Sequence, residues 1–195
     1  MEGYKRLKFR LVSVAPMLMH NGRTVDPNDD FAKAIKNISS KKKKVEADYA
    51  KMAELEWHAS LYVSEDGQVV LPARVLEASF VGGAKKAKQG KNASAGMFIE
   101  RDAVLEYDGP KDVESLWNDK RFRLAVPVRV SMARVVRTRP KFDKWAADVE
   151  VSYMTEVFPR GEVERMITDA GVFVGVGDWR PRYGRFRVEK VDEVQ

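Results

Sequence analysis

The chain has 195 residues, no cysteine and a formal net charge of +6. This length suits a single core, with or without a long insertion, and the lack of cysteine excludes a disulfide scaffold and any thiolate metal site. The first ten residues alternate charged and apolar side chains, so we expect neither a signal peptide nor a membrane span in this segment. We therefore expect a cytoplasmic protein with an anionic partner.

The first half of the chain predicts one strand, two helices, a hairpin and a third helix. Apolar residues alternate with basic ones over the strand, recur every three or four residues over the second helix, and flank a Glu-Asp-Gly turn in the hairpin. In chain order the predicted spans are a strand over 4–14, a loop over 17–30, helices over 31–38 and 45–61, a hairpin over 61–71, and a helix from Pro72 with the buried stripe Val75, Leu76, Ser79, Phe80 and Gly83.

The second half predicts four strands, one helix and a last strand. The predicted spans are strands over 97–107 and 122–130 joined by an acidic stretch, a long hairpin over 130–153 with its tip at 139–144, a helix over 163–174, and a final strand over 184–191. Because helices and strands do not alternate regularly, this order predicts an α+β fold rather than a doubly wound parallel sheet.

Positive charge is concentrated in the predicted hairpin. Residues 120–144 contain nine basic side chains and one acidic side chain, whereas residues 102–119 contain six acidic and one basic. This uneven distribution favours a polyanionic partner for one region of the surface.

The alternation of basic residues in this hairpin suits a nucleic-acid strand. An extended strand would present Arg137, Arg139 and Lys141 on one face about 6.5–7 Å apart, close to the phosphate repeat of an extended single strand. Phe142 beside them offers a surface on which a base could stack. The alternative is a solvated edge strand whose charges prevent aggregation, with Trp145 in the core.

A second basic segment lies just before the last predicted strand. Glycines at 175, 177 and 184 bracket a sequence rich in arginine and aromatic residues: Trp179, Arg180, Arg182, Tyr183 and Arg185. Such a loop suits contact with a polyanion, with Trp179 and Tyr183 as stacking surfaces. The alternative is that the glycines only allow a tight turn, the aromatic rings pack as a lid, and the arginines pair with carboxylates.

Common cofactor and metal motifs find little support. The Gly-x-Gly of the loop is followed by Arg180 and runs from a helix to a strand, which excludes a dinucleotide fingerprint, and no Gly-Lys-Ser/Thr exists for a Walker A loop. His20 and His58 are the only histidines and form no zinc-binding pair. Aspartates at 26, 29 and 30 could hold magnesium or serve as turn and helix-cap residues. We expect no metal and no cofactor.

Two motifs resemble the RAMP superfamily, the ferredoxin- or RRM-like proteins that form the crRNA-binding backbone of CRISPR effector complexes. Val174-Gly175-Val176-Gly177 with Gly184 is similar to the glycine loop that precedes the last strand of these proteins. Leu71-Pro72-Ala73-Arg74-Val75-Leu76 keeps the Pro and Leu spacing of their strand-to-helix motif but lacks its Gly and Ser residues. The chain also looks like stand-alone relatives encoded by bacteriophages.

The resemblance implies one RAMP/RRM-like domain over residues 1–195, with a ferredoxin-like antiparallel sheet, a helical insertion at about 21–60 and a protruding basic hairpin at about 130–153. Together with the basic segments it predicts a non-enzymatic, sequence-independent binder of single-stranded DNA or RNA. Such a protein would assemble side by side as a homo-oligomer or filament, in the bacterial host cytoplasm if phage-encoded. The predicted contacts are Lys85, Lys86, Lys88, Arg134, Arg137, Arg139, Lys141, Phe142, Gly175, Gly177, Trp179, Arg180, Arg182, Tyr183 and Arg185.

Two other functions stay open. A metal-independent endoribonuclease, like the processing members of the same superfamily, would use His20 as general base and Arg23 or the loop arginines to stabilise the transition state. A structural or interaction protein would use its basic surface only to meet an acidic partner.

Overall fold

The structure is a computed structural model that describes residues 3–130 and 133–194, without the side chains of residues 129, 130, 133 and 134. Its helices are α1 (Asp30–Ser39), α2 (Glu46–Ser60), α3 (Ala73–Ala84), α4 (Gly90–Gly96), α5 (Val113–Asn118) and α6 (Arg160–Asp169), the last followed by a π-helical turn over Ala170–Val174. Its strands are β1 (Tyr4–Ser13), β2 (Met17–Leu18), β3 (Val70–Leu71), β4 (Met97–Phe98), β5 (Ala103–Val104), β6 (Arg123–Val130), β7 (Ala133–Phe142), β8 (Ala146–Met154) and β9 (Phe186–Val194).

The main sheet has the strand order β4-β8-β1-β9, and all its neighbours are antiparallel. In chain order its elements are β1-α3-β4 and β8-α6-β9, so each half is a β-α-β unit whose two strands are separated by a strand of the other half. This interleaved arrangement is the ferredoxin-like topology. The predicted α+β fold with a ferredoxin-like antiparallel sheet is confirmed.

One face of the sheet carries the core. Leu7, Phe9 and Leu11 of β1 are fully buried, as the period-two alternation predicts, and they pack in the same apolar cluster as Phe80 of α3 and Met166 of α6. Full burial of each large apolar side chain stabilises the fold by about 1.5–3 kcal/mol. The sheet and its two covering helices therefore form the main core.

The two covering helices approach each other closely at Gly83 of α3. A Cβ atom added there would lie 2.3 Å from the carbonyl oxygen of Met166 and 2.6 Å from the amide nitrogen of Ala170. Only glycine allows this approach, since both neighbours are backbone atoms. The predicted buried stripe of α3 is confirmed at Leu76, Ser79, Phe80 and Gly83.

The other helices and strands form a second layer of contacts around the main sheet. The α2 helix packs against β7, and the indole Nε1 of buried Trp57 donates a hydrogen bond of 2.8 Å to the carbonyl of Phe122. Asp29 caps the start of α1: its carboxylate accepts hydrogen bonds from the N–H groups of Phe31 and Ala32. Among the described residues, no helix is both long enough and apolar enough to cross a membrane.

The hairpin predicted over 130–153 is wrong in its pairing. The long hairpin is formed by β6 and β7, with Leu124 opposite Arg139 and Val128 opposite Val135, whereas β8 pairs with β1 and β4 in the main sheet. Residues 139–144 therefore lie at the base of the hairpin and do not form its tip. The physical reason is burial of an apolar side chain. Phe142 is fully buried, so the chain enters the core at this residue and passes from the hairpin to the main sheet.

The predicted strand over 97–107 is also corrected. It divides into β4, which pairs with β8, and β5, which pairs with β3 in a separate two-stranded sheet. The acidic stretch after it contains a helix, α5, which the sequence analysis did not predict; Asp112 caps this helix by accepting from the N–H of Ser115.

Candidate nucleic-acid interface

The glycine loop, residues 175–184, is a closed turn built on glycine backbone conformations. Gly175, Gly177 and Gly184 have φ angles of 76°, 80° and 77°, which side chains rarely adopt. The N–H of Val176 donates a hydrogen bond of 2.9 Å to the carbonyl of Gly184 and so closes the loop. A Cβ atom at Gly184 would lie 1.7 Å from the carbonyl oxygen of Val176, so no other residue fits.

The same loop is fixed to the segment around β2. The N–H of Asp178 donates to the carbonyl of Leu18 at 2.8 Å, and the N–H of Gly184 donates to the carbonyl of Pro16 at 2.7 Å. A Cβ atom at Gly177 would lie 2.3 Å from that Leu18 oxygen. Gly175 is buried, so its predicted contact with nucleic acid is wrong. The glycines serve the turn, as the structural alternative predicted.

The loop presents its aromatic and basic side chains to solvent. Trp179 is 40% exposed, and its φ of 55° places a bulky residue in the left-handed region. Such a conformation costs about 1–3 kcal/mol and persists only where the surroundings impose it. The indole ring lies 6.1 Å from the ring of Tyr183, and Arg180 and Arg182 are exposed beside them.

A group of lysines at the end of α3 continues this surface. Lys85, Lys86 and Lys88 are all exposed. The ammonium of Lys86 lies 4.4 Å from the centroid of the Phe173 ring, in cation–π contact. Phe173 in turn lines an open depression with Trp179 and Arg180. The lysines and the glycine loop therefore border one continuous surface.

The cations of this surface lack carboxylate partners. Within the described part of the chain, no salt bridge is formed by Lys85, Lys86, Lys88, Arg180, Arg182 or Arg185. Six positive charges are consequently available to an external anion.

The basic residues of β7 are arranged differently from the prediction. Arg137 pairs with the buried carboxylate of Glu56 in α2, and Arg139 Nε lies 3.3 Å from Oδ2 of Asp178 in the glycine loop. Lys141 Nζ lies 3.0 Å from Asp143. The three predicted phosphate contacts are thus already paired within the protein. Arg134, the fourth, has its side chain outside the described residues.

Phe142 does not provide a stacking surface. Its side chain is fully buried, and its ring lies 5.0 Å from that of Tyr107 and 5.6 Å from that of Phe122. The prediction that Phe142 stacks on a base is therefore wrong. Trp145 is also buried, as the structural alternative for this segment predicted, and its Nε1 donates to the carbonyl of Ala15 at 3.2 Å.

His20 lies near Arg139 at the base of the hairpin and near Asp178 of the glycine loop. The residue is exposed, and its backbone carbonyl accepts a hydrogen bond of 3.0 Å from the Tyr62 hydroxyl. Partial loss of hydration is the main cause that lowers the pKa of its imidazole, and the positive charge of Arg139 lowers it further. The guanidinium of Arg74 lies 5.8 Å from the Tyr62 ring centroid and adds a further cation here.

Arg23 is engaged away from His20. Its Nε donates to the Asp29 carboxylate at 2.7 Å, and its guanidinium lies 4.7 Å from the Phe31 ring centroid. Asp29 caps α1, so the helix-cap alternative for this aspartate is confirmed. The arginine therefore stabilises the start of the helical segment.

The exposed face of the main sheet offers a second, different basic surface. Lys8 Nζ lies 2.9 Å from Asp148, and Arg10 pairs with both Asp148 and Glu106. The next residue along β8 on this face is Glu150. RRM sheets carry aromatic residues here, on which bases stack; on this sheet the aromatic residues of the face, Tyr4 and Phe98, lie at one end with ring centroids 6.0 Å apart. The central strands of this sheet present paired charges, which leaves the glycine-loop side as the better anion surface.

Three residues at or near this surface carry no signal in the sequence. The sequence pattern predicts a hairpin strand at Tyr62 and a helix start at Arg74. Nothing in that pattern indicates that the fold brings both residues beside His20. Phe173 was covered by the predicted helix over 163–174, but the π turn places Val172 and Phe173 in solvent. A local pattern of apolar residues gives no signal for such a turn.

The fold and this surface define a class: a ferredoxin-like α+β protein with an unpaired basic and aromatic surface beside its last strand. No protein-family model matches the chain, and no curated protein does. Among solved structures, it is similar to a chain of the cryo-EM structure of the Type III-B Cmr-beta bound to cognate target RNA, with a TM-score of 0.49 and 9% sequence identity. That similarity covers 99% of this chain and 61% of the other, so the protein spans less than two thirds of its neighbour's length.

Proposed function

We propose that the protein binds single-stranded DNA or RNA without sequence specificity, as a stand-alone relative of the RAMP superfamily. The observation that carries this proposal is the contrast between its two basic surfaces. On the sheet face, Lys8 and Arg10 pair with Asp148 and Glu106, whereas the cations of the glycine loop and of the end of α3 form no salt bridge with a carboxylate in the described part of the chain. Unpaired cations next to exposed aromatic rings suit a flexible strand of phosphates and bases.

The same surface supports binding without sequence readout. Its exposed groups are lysine and arginine, which attract any phosphate, and aromatic rings, which stack on any base. Each stacked base contributes about 1–3 kcal/mol. A rigid loop that presents Trp179 and Arg180 reduces the ordering cost of binding.

We further propose that several copies assemble side by side on one strand, in the cytoplasm, and that the protein is of the phage-encoded kind that the sequence resembles. Support for assembly comes from the β6–β7 hairpin, which exposes apolar residues in its outer half. Val136 is 59% exposed, and Pro127 opposite it is also exposed. Exposed apolar pairs on a projecting hairpin suit contact with a neighbouring copy.

The test is a fluorescence-anisotropy titration with labelled 30-nucleotide DNA and RNA strands over a series of salt concentrations. We expect binding at low salt that weakens as salt rises, as counterion release requires. Absence of binding to either strand at low salt would contradict the proposal. A 260/280 nm absorbance ratio typical of nucleic-acid-free protein, together with absent binding, would favour the interaction protein with an acidic partner.

Charge-matched variants localise the interface. Arg180→Gln/Arg182→Gln and Lys8→Gln/Arg10→Gln each remove two positive charges, one pair from the loop and one from the sheet face. We expect the loop pair to weaken binding at least tenfold at low salt and the sheet pair to change it less than threefold. Equal effects would show that net charge alone governs binding and would reject the proposed surface.

A second candidate function is metal-independent RNA cleavage with His20 as general base. It is favoured by the exposure of His20 and by the lowered pKa of its imidazole, which keeps the ring neutral at neutral pH. Incubation of the protein with labelled RNA in EDTA tests it. Cleavage that disappears in His20→Ala supports it, and RNA that stays intact with the wild-type protein rejects it.

A further inference from the structure

The glycine-loop side of the described surface contains an open depression in which aromatic rings and polar groups lie side by side. Its lining includes Phe173, Asp178, Trp179, Arg180 and Pro181, and it has a volume of about 440 Å³. Phe173 and Trp179 expose 51% and 40% of their surface, although both are large apolar side chains. Two exposed aromatic rings at the edge of one depression are unusual unless a ligand covers them.

The backbone holds Trp179 in this position before any ligand arrives. Two hydrogen bonds fix the backbone of Trp179. Its N–H donates to the Asp178 carboxylate at 3.0 Å, and its carbonyl accepts from the N–H of Tyr183 at 3.2 Å. Asp178 is itself fixed by Arg139 and by the carbonyl of Leu18. The left-handed backbone of Trp179 is therefore imposed by its surroundings, a pattern that accompanies functional positions.

Phe173 is presented by the π turn at the end of α6. Ala170 and Gly171 of this turn are buried against the core, and a Cβ atom at Gly171 would lie 2.3 Å from the carbonyl oxygen of Phe186. The turn is thus anchored on its inner side, while Val172 and Phe173 face solvent. Lys86 covers the Phe173 ring through its cation–π contact in the free protein.

The chemistry of the depression selects a planar, neutral group next to an anion. Aromatic rings offer stacking surfaces, and Lys86 and Arg180 supply positive charge at its border. The one carboxylate in its lining, Asp178, is already engaged by Arg139 and the Trp179 N–H. A nucleobase with its adjacent phosphate combines these two properties.

We infer that this depression binds one unstacked nucleobase of the strand between Phe173 and Trp179, with Lys86 moving from the Phe173 ring to the adjacent phosphate. The inference rests on the proposed single-strand binding and adds a defined base site to it. The site accepts purines and pyrimidines alike, because stacking is independent of base identity.

The test uses Phe173→Ala with Val172→Ala as its matched control. These neighbours in the same π turn are equally exposed, at 51% and 52%, and only one of them is aromatic. For a 30-nucleotide strand we expect Phe173→Ala to weaken binding about 5- to 100-fold, as the loss of one stacked base requires, and Val172→Ala to change it less than twofold. The salt dependence should stay that of the wild type in both, because neither variant removes a charge.

A strand of abasic nucleotides, which keeps its phosphates, separates this inference from the proposed function. On that strand the wild type and Phe173→Ala should bind equally. If the wild type binds normal strands and Phe173→Ala binds them as tightly, the base site is rejected and single-strand binding stands. If the wild type does not bind at low salt, the proposed function fails first. Circular dichroism melting confirms that each variant is folded.

Discussion

Single residues of the glycine loop are fixed by close backbone contacts, and Gly184 is the most constrained of them. The carbonyl oxygen of Val176 occupies the space that a Cβ atom at Gly184 would need. A side chain there would have to open the loop and break two backbone hydrogen bonds, to Val176 and to Pro16.

We expect Gly184→Ala to lower the free energy of unfolding by about 3 kcal/mol. Two lost hydrogen bonds contribute about 1 kcal/mol each, and a side chain in left-handed backbone adds about 1–2 kcal/mol. Urea denaturation measures the change. The control is Gly161→Ala at the start of α6, where an added Cβ meets open space and stability should stay equal or rise by up to about 1 kcal/mol. Equal losses in both variants would contradict the argument.

His20 reports on the interface through its protonation. Lost hydration and the charge of Arg139 lower the pKa of His20 from its ordinary value of 6.5. The unfolded chain then binds the proton more tightly, so this group reduces stability as pH falls below about 6.5 and has no such effect above it. Bound phosphates would favour the protonated imidazole.

An NMR titration of the two histidines checks this expectation. Without ligand, the midpoint of His20 should lie below 6.5, and with a saturating single strand it should rise. His58 is the internal reference: burial lowers its pKa too, but it lies beside Trp117 and Glu114, where no strand contact is proposed. Equal shifts of both histidines would indicate a global change rather than a contact at His20.

At the scale of elements, the sequence predicts those whose signal is local. The alternation in β1 and the apolar repeats of α2, α3 and α6 depend on neighbours a few positions away, and all four elements exist. No local signal decides which strand pairs with β7, since the alternation of basic residues around Arg137 is compatible with pairing to β6 or to β8. The core position of Phe142 decides it, and that position is a property of the assembled sheets.

The link between the helical segment and the hairpin is a buried charge pair. Glu56 of α2 is 4% exposed, pairs with Arg137, and accepts from the N–H of Thr138 at 3.0 Å. We expect Glu56→Ala to lower the free energy of unfolding by about 2–4 kcal/mol, because a charge and a buried N–H both lose their partner.

Thermal and urea unfolding measure that loss, with Glu54→Ala as control. Glu54 lies on the same helix and pairs with Lys51 at 2.8 Å near the surface, so its loss should cost about 0.5 kcal/mol or less. A similar cost for both variants would mean that the pair does not join the hairpin to α2.

At the scale of the whole molecule, the net charge of +6 conceals a division of the surface. Composition identified the basic loop and its exposed residues Trp179, Arg180 and Arg182 directly. It could not show that Arg137 forms an ion pair with Glu56 and Arg139 with Asp178, because those acids lie far away in sequence. Pairing between distant charges is set by the fold, so the sequence overestimated the hairpin as a phosphate-binding element.

Assembly along a strand gives the last expectation, which follows from the exposed outer half of the hairpin. If neighbouring copies meet there, Val136 is buried between them, and removal of its apolar side chain forfeits about 1.5 kcal/mol per contact. Val136→Ser should therefore lower the cooperativity of binding to a 90-nucleotide strand about tenfold, since 1.4 kcal/mol is a factor of ten. Binding to a strand that holds one copy should not change.

Val104→Ser is the control, because Val104 is also an exposed strand valine, at 49%, but lies on β5. Electrophoretic titrations on both strand lengths measure the two quantities. A loss of cooperativity in both variants, or in neither, would place the contact between copies elsewhere than on the hairpin.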